Sequence, residues 1–138
     1  MTTSRLNPYL SFKDNARQAM EFYKTVFGGE LTISTFGEGG MAHTPADNAK
    51  IMHGQLVGAN GYWLMGSDTP SDMEMRPNGA VSLSGDDEAS LKGYWDKLSA
   101  GATITMPLEK APWGDSFGML TDKFGVSWMV NIAGTPQQ

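Results

Sequence analysis

The feature that most constrains the fold of this chain is an internal repeat at a spacing of 72 residues. An amphipathic stretch that predicts an α-helix occurs twice, preceded by Asp14 in one copy and by Asp86 in the other. A carboxylate at this position is a typical helix N-cap, because it accepts backbone N–H groups that the first turn leaves unpaired. Gly29 and Gly101, at the same spacing, follow the two helices, where glycine tolerates the left-handed conformation that ends many helices. The chain therefore contains two copies of one module.

The buried faces of the two predicted helices repeat as well. Their apolar residues recur three or four positions apart, which gives each helix one apolar stripe. The residues that correspond at this spacing are Ala19 and Leu91, Phe22 and Tyr94, Tyr23 and Trp95, and Val26 and Leu98.

Extended segments with alternating apolar residues complete both modules. The predicted strands are 9–12, 30–36, 51–57 and 62–65 in the first copy, and a strand starting near Gly79 or Ala80, then 102–106, 117–121 and 126–132, in the second. This order predicts an α+β fold of tandem βαβββ modules, module 1 at about 6–66 and module 2 at about 79–132. Because a module of this size with one helix can hardly bury its sheet alone, we expect a single domain over 1–138, with 66–78 as a crossover.

The composition narrows the classes of function. The chain has 138 residues, a formal net charge of −5 and no cysteine, which excludes disulfides, thiolate metal sites and cysteine nucleophiles. Its basic residues are scattered, whereas nucleic-acid-binding proteins concentrate them to neutralise phosphates. No segment approaches the ~20 apolar residues of a membrane-spanning helix, and no apolar stretch follows Arg5 as it would in a signal peptide. We therefore expect a cytoplasmic protein that binds neither nucleic acid nor a membrane.

Four motifs give the chain a family resemblance over roughly residues 6–132. They are Pro-Tyr-Leu-Ser-Phe at 8–12, Ala-Met-Glu-Phe-Tyr at 19–23, Trp-Gly-Asp-Ser-Phe-Gly at 113–118 and Thr-Asp-Lys-Phe-Gly-Val-Ser-Trp-Met-Val-Asn at 121–131. In these motifs the chain resembles the PhnB-like branch of the vicinal-oxygen-chelate superfamily, which includes glyoxalase I, extradiol dioxygenases and bleomycin-resistance proteins. The resemblance implies eight strands in curved mixed sheets, with each module forming half of a cup around a small-molecule site. It also implies a homodimer.

Some members of this branch are described as ubiquinone-related methyltransferases. The residues give that activity no support, since no predicted strand runs into a glycine-rich turn and helix of the kind that cradles a nucleotide-like cofactor. We therefore expect no cofactor.

Enzymes of the superfamily hold one divalent metal ion with His and Glu side chains from four strands, and an open coordination position polarises the substrate. The residues that the resemblance places at those four positions are Asn7, Met65 or its neighbour Leu64, Gly79 or Ala80, and Met129. A neutral amide, apolar side chains and a small residue cannot hold a divalent ion tightly. The resemblance therefore implies a degenerate metal site, with no bound metal.

Two histidines are available to rebuild a metal site. His43 lies in a polar loop, which favours a solvated side chain. His53 lies in the strand 51–57, where alternation places it on one face with Ile51 and Gln55. A His and a Gln on one face could line the cup. A divalent metal at a rearranged site around His53 is the alternative to a metal-free protein.

Three tryptophans are candidates for the ligand site. Trp113 lies in a loop, where an exposed indole is unfavourable unless it covers something, so it either roofs a ligand cavity or is buried in a dimer seam. Trp63 and Trp128 lie on the last strands of their modules, and each is either a core residue or part of an aromatic cup wall.

The leading interpretation is a homodimer that binds a small organic molecule in its cups, with a few polar groups orienting it. The expected ligand-binding residues are Asn7, His53, Trp63, Met65, Trp113, Trp128, Met129 and Asn131. One alternative is a metal-dependent lyase, isomerase or dioxygenase with a rearranged site around His53. Another is an interaction protein with filled cups. The side chains that would fill them are Met52, Met65, Met119 and Met129.

Overall fold

The computed structural model describes residues 6–40, 42, 44–71, 74 and 78–134 of the chain. The chain divides into two compact units, Met1–Pro77 and Asn78–Gln138, and the division falls at the end of the segment predicted to be a crossover. Within the described residues, no helix is long and apolar enough to cross a membrane. His43 lies outside the described residues.

Unit 1 is a four-stranded mixed sheet with an α-helix packed on it. Its elements in chain order are β1 (Tyr9–Phe12), α1 (Ala16–Phe27), β2 (Glu30–Thr35), a short 3-10 helix (Pro45–Asp47), β3 (Ile51–Val57) and β4 (Trp63–Asp68). The order across the sheet is β1-β4-β3-β2, in which β1 and β4 are parallel and the other neighbours are antiparallel.

Unit 2 repeats this arrangement. Its elements are β5 (Ala80–Gly85), α2 (Glu88–Leu98), β6 (Thr103–Lys110), β7 (Ser116–Thr121) and β8 (Ser127–Ile132). The order across the sheet is β5-β8-β7-β6, again with one parallel pair, β5 and β8. The α+β fold of tandem βαβββ modules that the repeat predicts is confirmed.

Both helices begin one residue later than the sequence pattern predicts. The N-cap residues are Asn15 and Asp87, which keep the 72-residue spacing, rather than Asp14 and Asp86. At α2 the Asp87 carboxylate accepts a hydrogen bond from Ser90 N at 3.1 Å, as is typical of an N-cap.

The backbone at the start of α1 is hydrogen-bonded by a carboxylate from a strand that is distant in sequence. Asp68, at the end of β4, accepts a hydrogen bond from Ala16 N at 2.9 Å, and its other oxygen accepts one from Ile51 N at 2.9 Å. Asp14 instead adopts a left-handed conformation, with a φ of +70°, and pairs with Lys50 at 2.9 Å. The carboxylate expected next to the helix is therefore replaced by one 52 residues away along the chain.

Each helix packs against one face of its sheet, and glycines let it approach closely. In unit 1, Gly54 and Gly66 pair across β3 and β4, and a Cβ at either position would stand 3.2 Å from the Met20 side chain of α1. In unit 2, a Cβ on Gly118 would stand 2.8 Å from both the Trp95 ring of α2 and the backbone of β6. The buried sheet residues on these faces include Leu10, Phe12, Ile51, Leu56, Leu64, Leu83, Leu120, Trp128, Val130 and Ile132.

An extra residue in β3 reverses one side-chain direction that alternation predicts. Ser34 pairs with His53 and Thr35 pairs with Ile51, which leaves Met52 as the extra residue of a β-bulge. Ile51 consequently turns to the helix side and is 1% exposed. The expectation that Ile51 shares a face with His53 is wrong for this reason.

Candidate functional site

Each sheet has a second face, turned away from the helix of its own unit, which we call the open face. In unit 1 the strand pairing places Thr32, Gln55, Met65 and Tyr9 in one row across β2, β3, β4 and β1. The other residues that alternation directs to this face are Ser11, Ser34, His53, Val57, Trp63 and Ser67. Tyr9 is 49% exposed, so the row can be reached from outside the unit.

Tyr9 and His53 form a pair on the open face of unit 1. The Tyr9 hydroxyl lies 3.3 Å from His53 Nδ1, and the ring centroids are 5.8 Å apart. His53 is one of the expected ligand-binding residues, whereas Tyr9 is not. The signal was present, because the alternation that buries Leu10 and Phe12 directs Tyr9 to the opposite face of β1.

The open face of unit 2 carries a row of methionines. Ser82, Met129, Met119 and Met106 lie side by side across β5, β8, β7 and β6. Met106 is 46% exposed, and Met119 and Met129 are partly exposed. Flexible, polarisable thioethers adapt to apolar molecules of different shape, so this row suits an apolar ligand group.

An oriented amide lies next to the methionine row. Asn131 donates from Nδ2 to Asp115 Oδ2 at 3.0 Å, and Gly134 N donates to Asp115 Oδ1 at 2.9 Å. These two hydrogen bonds hold the pKa of Asp115 below its usual range, and the one from Gly134 has the larger effect. Because only the amide nitrogen can donate to a carboxylate, the Asn131 Oδ1 atom is oriented as an acceptor.

Trp113 lies beside the same amide. Its ring packs against Phe117 at a centroid distance of 6.1 Å, and Phe117 pairs with Asn131 across β7 and β8. The Trp113 side chain is 64% exposed. The structure thus places Trp113, Asn131 and Met129 on one side of unit 2, whereas the choice between a ligand roof and a dimer seam stays a prediction.

The other two candidate tryptophans have different positions. Trp128 lies on the helix side of β8, is 1% exposed, and donates from Nε1 to Asp122 Oδ2 at 2.8 Å. Alternation therefore places Trp128 and Met129 on opposite faces of β8, and of the two alternatives for Trp128, a core residue or part of a cup wall, the structure shows the core residue. Trp63 is partly exposed and pairs with Val57 on the open face of unit 1.

The positions that the resemblance assigns to metal ligands do not supply the usual donors. The neighbours of Met65 and Met129 in the parallel strand pairs are Tyr9 and Ser82. Asn7 precedes β1, and its Nδ2 donates to the adjacent Pro8 O at 3.1 Å. Among the residues that the structure describes, no three His, Cys, Asp or Glu side chains are grouped closely enough to hold a metal ion. Thioethers, hydroxyls and an amide do not fit a divalent ion that prefers imidazole and carboxylate.

A cavity of about 250 Å³ opens at the start of α1, with a lining different from the predicted site residues. Its wall includes Asp14, Arg17, Lys50 and Asp68. Lys50 bridges Asp14 at 2.9 Å and Asp47 at 3.2 Å, and its hydrogen bond to Asp14 is the main reason that the pKa of Lys50 is raised. Because Asp68 binds backbone N–H groups, most charges of this cavity are paired within the protein.

Comparison with known proteins finds a family model and a relative that each match most of the chain. A family model described as 3-demethylubiquinone-9 3-methyltransferase matches residues 4–131. Protein YjdN of Escherichia coli K12 is 31% identical over 140 residues, which cover 92% of this chain and 94% of YjdN.

Solved structures extend the comparison to the fold. Protein PA1353 from Pseudomonas aeruginosa is 37% identical with a TM-score of 0.79, covering 94% of this chain and 98% of that one. A PhnB protein from Bacillus cereus is 27% identical with a TM-score of 0.72, covering 94% and 100%. A glyoxylase/bleomycin resistance protein/dioxygenase domain from Frankia, 15% identical with a TM-score of 0.64 and covering 98% and 100%, is similar in fold.

Proposed function

The chain belongs to the PhnB-like branch of the vicinal-oxygen-chelate superfamily, and we propose that the open face of each sheet binds a small organic molecule. The observation that carries the proposal is the methionine row of unit 2 beside an amide fixed by a carboxylate. Ligand sites combine an adaptable apolar wall with a few polar groups held in place, and this face has both. The open face of unit 1 adds Met65 and the Tyr9–His53 pair.

The proposed ligand site needs no resident metal. The polar groups are an imidazole and a phenol on the open face of unit 1 and an amide on that of unit 2, and the apolar groups of each face are thioethers and aromatic rings. Such groups can bind and orient a molecule without polarising it as a Lewis acid does. Binding alone is therefore the function that these residues support best.

Methyl transfer, the activity in the name of the family model, has less support from the geometry. Nucleotide-like cofactors are commonly held where a glycine-rich turn exposes a free helix N-terminus. Here a carboxylate already occupies the start of each helix, Asp68 at Ala16 and Asp87 at Ser90. We therefore propose a ligand-binding protein that acts without such a cofactor. The proposal also places it in the cytoplasm as a homodimer, as the family resemblance and the sequence lead us to expect.

The proposal can be tested by NMR of methyl-labelled methionine. The chain has 10 methionines, and single Met→Leu variants assign their signals. Titration with benzoate, phenol and benzylamine should shift the methyl signals of Met119 and Met129, or of Met65, with saturation. The signal of Met20, which lies on the buried face of α1 and is 0% exposed, serves as the control and should stay in place. Absence of saturable shifts for every probe up to the ~1 mM range would refute binding of this class of molecule.

Metal content separates this proposal from the enzyme alternative. Protein purified without chelators should contain only traces of Zn, Mn, Ni and Fe by elemental mass spectrometry. A stoichiometric metal that disappears in His53→Ala would instead favour a metal-dependent lyase, isomerase or dioxygenase around His53.

A further inference from the structure

The Tyr9–His53 pair on the open face of unit 1 defines the protonation pattern of its imidazole. The Tyr9 hydroxyl and His53 Nδ1 are 3.3 Å apart, which is within hydrogen-bonding distance. The hydrogen bond joins strands β1 and β3 across β4, so two rigid elements of one sheet hold it. A pair carried by strands keeps its geometry better than one carried by loops.

The chemistry of the two groups favours one direction for this hydrogen bond. A phenol keeps its proton near neutral pH and is a good donor, whereas a neutral imidazole has one nitrogen that accepts and one that donates. With Tyr9 donating, His53 Nδ1 is the acceptor, and the imidazole proton resides on Nε2. The partner of one ring nitrogen thus decides the role of the other, as it does for metal-bound and catalytic histidines.

The neighbours of His53 on the open face leave its Nε2–H as a directed donor. Ser34 lies opposite in β2, Gln55 lies two residues along β3, and Met65 lies next to Gln55. These neighbours are uncharged, so the selectivity that they and His53 provide comes from hydrogen bonds and apolar contact.

We propose that Tyr9 is a positioning residue that fixes His53 as an Nε2–H donor, so that unit 1 selects ligands with an acceptor oxygen over amines. A carbonyl, carboxylate or phosphonate oxygen next to an apolar group has this chemistry. The inference rests on the proposed function, because it names the class of molecule that the same open face takes. This preference is the opposite of the one expected from the net charge of −5, which by itself favours cationic ligands.

The tautomer can be measured before any ligand is added. The chain has 2 histidines, so the nitrogen spectrum of ¹⁵N-histidine-labelled protein is simple, and His43→Gln removes the second residue. In the parent protein, His53 should show a protonated Nε2 and an unprotonated Nδ1. Tyr9→Phe should raise the Nδ1–H population severalfold. Tyr62→Phe, which removes a hydroxyl from a similarly exposed tyrosine of the same unit, should leave the tautomer unchanged. Equal tautomer populations in Tyr9→Phe and the parent would overturn the inference.

Ligand preference provides the second readout, with benzoate and benzylamine as probes of similar shape and opposite charge. At about 0.15 M salt, where long-range charge effects are screened, benzoate should bind at least about tenfold more tightly and shift the His53 Nε2 signal. Tyr9→Phe should reduce this preference in proportion to the Nε2–H population that it loses, and His53→Ala should abolish it. If both probes bind equally, the proposed function stands and this inference is wrong. If neither probe binds in the NMR titration, both are refuted for this ligand class.

Discussion

Two buried aspartates stabilise the fold by accepting hydrogen bonds. One of them joins segments that are distant in sequence, and the other pairs buried donors of a single turn and strand. Asp68 joins the starts of α1 and β3. Asp122, at the turn after β7, accepts hydrogen bonds from Phe124 N at 2.8 Å, Val126 N at 3.0 Å and Trp128 Nε1 at 2.8 Å. Asp122 is 4% exposed, so removal of its carboxylate would leave these donors without water to replace it.

We expect Asp122→Ala to lower the free energy of unfolding by about 3 kcal/mol, because hydrogen bonds to a charged group are lost and buried donors become unpaired. Urea denaturation measures the change. Asp96→Ala, on the exposed surface of α2, is the matched control and should change stability by less than about 0.5 kcal/mol. Equal stability of the two variants would show that the carboxylate of Asp122 is not a structural anchor.

Residue-level predictions from sequence succeeded where the cause was local. The Asp87 cap depends on Ser90, three residues away, and lies one residue from its predicted place. The cap of α1 comes from Asp68, and no local pattern around Asp14 contains that information. Trp128 is the opposite case, since its alternation with Met129 was visible in the sequence and indicates opposite faces.

At the scale of whole elements, the distance between helix and sheet depends on glycine. Gly118 of β7 faces α2, and the space of its missing side chain is occupied by Trp95 and by the backbone at Leu108. Gly54 has the same role under α1, where Met20 fills the space. Gly54 and Gly118 are 64 residues apart, the same spacing as the turn glycines Gly61 and Gly125.

Gly118→Ala should destabilise the protein by about 2 kcal/mol, because backbone and a large ring would have to move to admit one methyl group. Gly93→Ala should instead stabilise the protein. It lies in the middle of α2 with open space around the added Cβ, and alanine is the better helix former by up to about 1 kcal/mol. Chemical denaturation of both variants checks the pair. Destabilisation by Gly93→Ala, or none by Gly118→Ala, would contradict the packing described here.

Element boundaries were predictable where hydrophobic alternation is regular. Strand β3 occupies the predicted residues 51–57, although its bulge was not visible in the pattern. Strand β6 was predicted to end at Met106 but continues to Lys110. Pro107 lies within it, because β6 is an edge strand with register shifts, where a residue without an N–H group is tolerated.

At the scale of the molecule, several carboxyl groups stabilise the fold in their ionised form. Hydrogen bonds hold the pKa below its usual range for Asp47, Asp87, Glu88 and Asp115. For Asp47, burial opposes ionisation, but hydrogen bonds from Lys50 and Ser71 outweigh it and leave the pKa lowered. For Glu88 the hydrogen bond from Lys92 is the main cause.

Stability should therefore fall in acid. Because these pKa values are lower in the folded state, the unfolded chain binds more protons as the pH decreases, and protonation favours unfolding. The stabilisation is present above the ordinary carboxyl range and should be lost progressively below about pH 5, as the pH falls through the folded values. Thermal melts between about pH 7 and pH 3 measure it, and Asp47→Asn with Asp115→Asn should flatten the profile. A melting temperature that does not change with pH would contradict this expectation.

The repeat made the general architecture predictable, because the same cap region, apolar stripe and terminal glycine at a constant spacing require the same module twice. The site was less predictable, since its geometry arises from strand register. The fixation of Asn131 by Asp115 and the meeting of Tyr9 with His53 are contacts between strands or between a strand and a loop. Pairing register decides such contacts, and a single strand pattern does not contain it.

The positions of the 4 tryptophans have a consequence for any study that follows this protein by its intrinsic emission. Trp95 and Trp128 are both buried in unit 2, whereas Trp63 of unit 1 lies on the open face. A fluorescence-detected melt will thus record chiefly the loss of the second core and can overlook partial opening of the first. Conversely, a small spectral change at Trp63 or Trp113 need not signify unfolding, so circular dichroism or hydrogen exchange must accompany the optical trace.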